Sequence, residues 1–213
     1  MRERLADFLV RTGALKFGDF TLKSGRKSPY FVDAGVLAGG SEMVELCGML
    51  AEKIGESGGC DLIFGPAYKG IPLAVGTAME MAKGGKDVRW LFNRKEMKEH
   101  GDRGAYVGHL PAGGEKAVIV DDVFTTGGTK VEAVGMLKAL GAGVKAVVVA
   151  VDREERGEKG PAVEEFTAQT GVAVYSIATV SEIMEYLKGK GEVSEELYGR
   201  FLEYGREYGA GKA

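Results

Sequence analysis

In the segment AVIVDDVFTTGGTKVEAVGMLKAL, Ala117 to Leu140, two adjacent carboxylates, three threonine hydroxyls and two glycines stand between an apolar run and a helical pattern. Ala117, Val118, Ile119 and Val120 read as a short buried strand. Asp121 and Asp122 come next, then Val123 and Phe124, then Thr125, Thr126, Gly127, Gly128 and Thr129. Val131, Val134, Leu137 and Leu140 recur every third residue and predict a helix face. The pattern is a strand, a tight turn and a helix. Backbone N–H groups in such a turn point at one spot, and the helix dipole adds positive potential there, which suits a phosphate. Carboxylates beside a phosphate repel it, so they require another partner in the same ligand, either sugar hydroxyls or a cation. A phosphate, a diol and a nearby Mg²⁺ satisfy every group, and ribose 5-phosphate is the simplest core of such a ligand. An ordinary turn with threonine caps and left-handed glycine explains a Gly-Gly pair alone. It leaves the acid pair unexplained.

Four other places carry groups that bind anions. Phe64-Gly65-Pro66-Ala67-Tyr68-Lys69-Gly70 is a second strand-to-helix turn, without the glycine spacing or the Gly-Lys-Ser/Thr ending of a Walker A loop. Arg94, Lys95, Lys98, His100 and Arg103 alternate with Glu96, Glu99 and Asp102, which reads either as a solvated loop or as a cationic lid that covers a reacting group. Lys23 lies in a polar turn ahead of Tyr30, Phe31 and Val32. Asp152 and Arg153 follow an apolar run, and Arg153 reads equally as a loop ion pair with Asp152 or Glu155 and as a two-point grip on a planar carboxylate.

The elements that must position these groups alternate. Glu3 to Arg11 is an amphipathic helix with Leu5, Phe8 and Leu9 on one face, and Phe20 to Val32 suggests short strands and a turn. Ser41 is placed to cap a helix reaching Glu56, with Glu45 near its first turn. Strands are predicted at Asp61 to Phe64, Val88 to Phe92, Ala117 to Val120, Val144 to Val151 and Val172 to Ile177. Helices are predicted at Gly70 to Ala82, Ser181 to Leu187 and Ser194 to Tyr208, and Gly209 to Ala213 reads as a frayed tail. Strands alternating with helices imply an α/β fold, a mostly parallel sheet flanked by helices, whose ligands bind beyond the carboxyl ends of the strands. Gly65, Arg94, Asp121 and Asp152 each follow a predicted strand, so one rim gathers the suspect groups.

Composition agrees. The 213 residues suit one domain, and a net charge of −3 with a pI near 5.6 gives no general attraction to nucleic acid. Cys47 and Cys60 form no C-x-x-C and read as reduced thiols, and two histidines exclude a His-rich metal site. No apolar run approaches a membrane span and the MRERLADFL terminus lacks a signal-peptide apolar region, so a soluble cytoplasmic protein is expected.

Val118 to Thr129 resembles the phosphoribosyl pyrophosphate (PRPP) signature of type I phosphoribosyltransferases. Three segments narrow the resemblance to the orotate phosphoribosyltransferase family: Phe20 to Phe31, Phe64 to Pro72 and Phe92 to Gly101, joined by Asp152-Arg153. The resemblance implies an Mg²⁺-dependent transfer of the phosphoribosyl group of PRPP to orotate, giving orotidine 5′-monophosphate and pyrophosphate in UMP biosynthesis. It implies a hood over residues 1–36, a core over about 37–190 and a closing helix over about 194–208. It assigns PRPP to Lys23, Tyr68, Lys69, Arg94, Lys95, Lys98, His100, Asp121, Asp122, Val123, Phe124, Thr125, Thr126, Gly127, Gly128 and Thr129. Orotate falls to Lys23, the backbone at Phe31 and Val32, Thr125 and Arg153. Lys95, Lys98, Asp121 and Asp122 are the expected catalytic groups, with Mg²⁺ held mainly by PRPP and water. Asp121 and Asp122 either sit near that ion or hold the ribose hydroxyls. In this family the lid reaches the neighbouring subunit's site, which implies a homodimer. Val32 and Asp33 stand where many relatives carry Phe and Asn, a change that a backbone contact tolerates. A phosphoribosyltransferase for a purine or another base and a non-catalytic PRPP-binding regulator of transcription or RNA are the rival readings. The Lys23 segment, the lid and Arg153 oppose the first, and the acidic pI and intact lid oppose the second.

Overall fold

The computed structural model describes residues 1–22, 25–96 and 104–210. Helix α1 (Arg2–Arg11) leads into a two-stranded antiparallel sheet, β1 (Leu15–Thr21) and β2 (Lys27–Val32), with Leu15 opposite Val32. The alternating core follows: α2 (Gly40–Glu56), β3 (Leu62–Gly65), α3 (Gly70–Lys83), β4 (Arg89–Asn93), β5 (Tyr106–Gly108), β6 (Lys116–Phe124), α4 (Gly128–Ala139), β7 (Gly143–Asp152), α5 (Ala162–Thr170), β8 (Ala173–Thr179), α6 (Val180–Gly189) and α7 (Glu195–Tyr208). The larger sheet has the order β5-β4-β3-β6-β7-β8 and is parallel except for β5, which pairs antiparallel with β4. The expected mostly parallel sheet flanked by helices is therefore present.

Side chains alternate across this sheet. Val118, Val120, Ala146 and Val148 join the core under α1, α2, α3 and α6, whereas Ala117, Ile119, Val147 and Val149 join the core under α4 and α5. Both faces are covered, which is why β6 and β7 read as unbroken apolar runs.

Several boundaries differ from the sequence expectation. The motif strand continues through Asp121, Asp122, Val123 and Phe124, because β6 stays paired with β7 as far as Phe124 opposite Asp152. Helix α2 begins at Gly40, not beyond Ser41, and Glu42 rather than Glu45 closes its first turn by accepting from the N–H groups of Ala38 and Gly39. Helix α6 begins at Val180, where Thr179 and Glu182 cap each other. Ser194 caps α7 by accepting from Leu197 N–H. Strand β1 starts at Leu15, ahead of the predicted Phe20, and α5 and β5 were not expected. The tail is not free at Gly209 and Ala210: Gly209 bridges Glu155, and Ala210 N–H donates to the Glu154 carbonyl at 2.8 Å.

Candidate active site

The carboxyl ends of β3, β4, β6 and β7 lie along one rim. Asp121 and Asp122 are consecutive in β6, so they point to opposite faces of the sheet, and each meets a different lysine. Asp121 lies on the α4 side, where the Lys130 ammonium donates to it at 2.5 Å and to the Val123 carbonyl at 2.9 Å. Asp122 lies on the other side, 3.1 Å from the Lys69 ammonium, which also donates to Asp33 at 2.7 Å. Both aspartates and Lys130 are buried. Burial pushes the Asp121 carboxyl above the usual range, and the neighbouring Asp122 adds to this while Lys130 opposes it. Partial burial opposes charge on Lys69, yet Asp33 and Asp122 hold its ammonium above the ordinary lysine value.

The turn after β6 is tight and open to solvent. Gly127 has φ +80° and is the residue before α4, and a Cβ there would lie 2.8 Å from the Phe124 ring. Glycine alone permits both the left-handed backbone and this close approach. The backbone N–H groups of Thr125, Thr126 and Gly127 donate to no described residue, and Thr126, Gly128 and Thr129 are exposed. An open set of donors thus stands at a helix N-terminus.

The second turn is equally tight. A Cβ on Gly65 would lie 2.1 Å from the Gly70 carbonyl oxygen, and the Ala67–Tyr68 peptide is cis. Ala67 N–H donates to Asn93 Oδ1 at 3.0 Å, tying this turn to the end of β4. Tyr68 is exposed, and the Lys95 ammonium lies 5.3 Å from its ring centre. Arg94 and Lys95 are exposed at the neck of the predicted lid, where Arg94 N–H donates to the Ala105 carbonyl at 2.7 Å and β5 pairs back on β4. Lys98 and His100, and Lys23 of the β1–β2 turn, lie outside the described residues.

Arg153 follows β7, and its N–H donates to the Phe124 carbonyl at 3.1 Å, beside the Thr125 turn. Its side chain is buried, with Nε 2.7 Å from Glu155 and Cζ 4.5 Å above the Tyr30 ring. The ion pair with Glu155 that spacing allowed is present. Phe31 and Val32 lie in β2, whose second edge no other strand covers among the described residues, and Val32 turns its side chain into the core while Phe31 stacks on Phe20 at 5.6 Å.

Sequence reading missed Lys130 as the partner of Asp121 and Asp33 as a partner of Lys69. Lys130 falls in a helix pattern whose sequence period places the apolar face at Val131, and it is buried with Ala133, Val134 and Leu137 only because Asp121 neutralises it. Among the described residues no group of three or more His, Cys, Asp or Glu side chains is arranged to hold a metal ion. Among the described residues no helix is long and apolar enough to cross a membrane.

Residues 37–178 match the family model described as the phosphoribosyl transferase domain. The orotate phosphoribosyltransferase of Thioalkalivibrio sulfidiphilus is 45% identical over 193 residues, covering 89% of this chain and 90% of that protein. That of Nitrosococcus oceani is 43% identical over 205 residues, covering 95% and 92%. The crystal structure of the orotate phosphoribosyltransferase of Francisella tularensis superposes with a TM-score of 0.80 at 33% identity, covering 95% of this chain and 98% of that one.

Proposed function

This chain belongs to the phosphoribosyl transferase family and, within it, to the orotate phosphoribosyltransferases; from that premise we propose how its residues divide the work. The reaction joins a ring nitrogen of orotate to the anomeric carbon of PRPP, forming orotidine 5′-monophosphate and releasing pyrophosphate, a step of UMP biosynthesis. The observation that carries the division of labour is the meeting, at the ends of β6 and β7, of an acid pair, a turn of unengaged N–H groups and a buried arginine.

The N–H groups of 125–129 and the hydroxyls of Thr125, Thr126 and Thr129 hold the 5′-phosphate at the start of α4. Asp121 and Asp122 lie by the ribose hydroxyls. Positive charge grows on the anomeric carbon as pyrophosphate leaves, and the orotate nitrogen attacks from the opposite face with inversion. No nucleophilic side chain is needed, because positioning and charge stabilisation lower the barrier. Tyr68, Lys69, Arg94, Lys95, Lys98 and His100 serve the pyrophosphate side. Lys69, shared between Asp33 and Asp122, is the cation an arriving pyrophosphate would compete for. Mg²⁺ is the cofactor we propose, carried by PRPP oxygens and water. The donor set fits that arrangement, since hard carboxylate oxygens lie at the rim but each aspartate is already paired with a lysine. When bound, the ion neutralises charge on the departing pyrophosphate.

Lys23, the open backbone edge at Phe31 and Val32, Thr125 and Arg153 take the orotate. A contact made by backbone tolerates Val at 32, because that side chain points into the core. We further propose a homodimer whose lid, residues 94–104, acts on the neighbouring site. Residues 1–36 form the hood, about 37–190 the catalytic core and about 194–208 a closing helix. A cytoplasmic setting fits the two free cysteines.

The test is base choice. Arg153→Ala should weaken orotate by about 2–3 kcal/mol, roughly thirtyfold to more than a hundredfold in affinity, with PRPP binding nearly intact. Uracil lacks the carboxylate and should lose much less. Equal loss for both bases would remove Arg153 from the base site.

A further inference from the structure

The Glu155 side chain is only 3% exposed, yet three donors from three parts of the fold converge on it. Oε1 accepts from Arg153 Nε at 2.7 Å and from the Tyr204 hydroxyl of α7 at 2.8 Å, and Oε2 accepts from Arg26 Nη1 at 2.8 Å. Its backbone is fixed as well, bridged to Gly209 and accepting from Ala162 N–H at 3.1 Å. Glu154, next to it, has φ +53° and spends its carboxylate on the Ser181 N–H at the start of α6, so the two neighbours do different jobs.

The convergence fixes Arg153. A guanidinium whose Nε is held by a carboxylate, and whose face lies on an aromatic ring, has its plane determined. Here the ring is Tyr30, and Nη1 makes no hydrogen bond to a described residue. Beside it a cavity of about 460 Å³, lined by Arg153, Tyr30, Val163, Val180, Tyr198 and Leu202 among others, would let an untethered guanidinium turn away from the rim. One carboxylate between two guanidinium groups also leaves net positive charge, which an arriving carboxylate complements.

We propose that Glu155 is a positioning residue for base recognition: it aims Arg153 at the rim, and Tyr204 and Arg26 hold it in place, so that α7 takes part in choosing the base. The inference rests on the assignment of orotate to Arg153.

The experiment compares Glu155→Gln, Tyr204→Phe, Arg26→Gln and Arg153→Ala in the full-length enzyme, with orotate and uracil as bases. Glu155→Gln should raise KM for orotate about tenfold, and Tyr204→Phe about threefold, with KM for PRPP and the use of uracil nearly unchanged. Glu155→Asp should recover part of the loss. Where Glu155→Gln does not fold, Tyr204→Phe and Arg26→Gln decide together, because the Tyr204 hydroxyl also accepts from Arg153 Nη2 whereas Arg26 acts on the pair through Glu155 Oε2 alone, and both should raise KM for orotate about threefold. If Arg153→Ala separates orotate from uracil but the other variants do not, Glu155 plays no part in base choice. An equal fall for both bases, or a lower melting temperature with unchanged kinetics, makes Glu155 purely structural and overturns the proposal. If Arg153→Ala itself fails to separate the bases, the Arg153 assignment falls first and this inference with it.

Discussion

Lys130→Met keeps the aliphatic stem and removes the ammonium, leaving Asp121 as a buried carboxylate without its cation. The two side chains are 6% and 12% exposed and 2.5 Å apart, so water screens them little. Breaking a buried pair by removing one partner costs about 3–5 kcal/mol. For a domain of this size each kcal/mol lowers Tm by about 2–4 °C, so the variant should melt roughly 6–20 °C lower. The Val123 carbonyl loses its donor too, two residues before the turn proposed to hold the 5′-phosphate, so PRPP should also bind more weakly. Adding Asp121→Asn removes the stranded charge and should recover a large part of the lost stability, though not the PRPP affinity. Scanning calorimetry at neutral pH on the wild type, both single variants and the double variant closes the cycle. A drop below about 2 °C for Lys130→Met, or a double variant no more stable than Lys130→Met, would refute the reasoning.

Gly127→Ala should cost about 1–2 kcal/mol for its left-handed backbone and about 1–3 kcal/mol for overlap with Phe124, and should weaken PRPP binding; a wild-type Tm would show that the turn relaxes freely. Burial, helped by Asp61, pushes the Cys60 thiol up to about 11, and burial pushes Cys47 to about 11, so alkylation of the native protein should be slow at pH 8 and accelerate steeply towards pH 10. Fast labelling at pH 8 would contradict that. Burial opposes ionisation of Asp33, but Lys69 and the Gly35 N–H hold its carboxyl below the ordinary value of 3.8. Its contribution to stability is therefore present above pH 3.8 and lost as pH falls through the lower folded value. Asp33→Asn should flatten that part of the acid-unfolding curve, and an unchanged curve would mean that the Lys69 contact adds nothing.

Much of this was legible in residues 117–140, because a strand covered on both faces and a helix leave different periods in a sequence. What could not be read was where the strand stops. Two adjacent aspartates look like the start of a turn, and they continue β6 only because Lys130 and Lys69, on opposite sides of the sheet, neutralise them. Helix α5 left little signal because it buries only Ala162 and Phe166 and starts from Pro161 without a side-chain cap. Strand β5 is three residues long and owes its place to pairing with β4. The tight strand-to-helix turns at Gly65 and Gly127 were readable from local spacing. The contacts that organise them, Asp33 with Lys69 and Arg26 with Glu155, join residues 36 and 129 positions apart, and no local pattern announces them.

The central claim is transfer of the phosphoribosyl group to orotate and to no purine. Purified protein with PRPP and Mg²⁺ is offered orotate, uracil, adenine, guanine or no base, and pyrophosphate release is followed while the nucleotide product is identified by mass. The account predicts one equivalent of pyrophosphate for each orotidine 5′-monophosphate with orotate, slow turnover with uracil and none with either purine. Nucleotide formed from adenine or guanine, or no turnover with orotate, would contradict it.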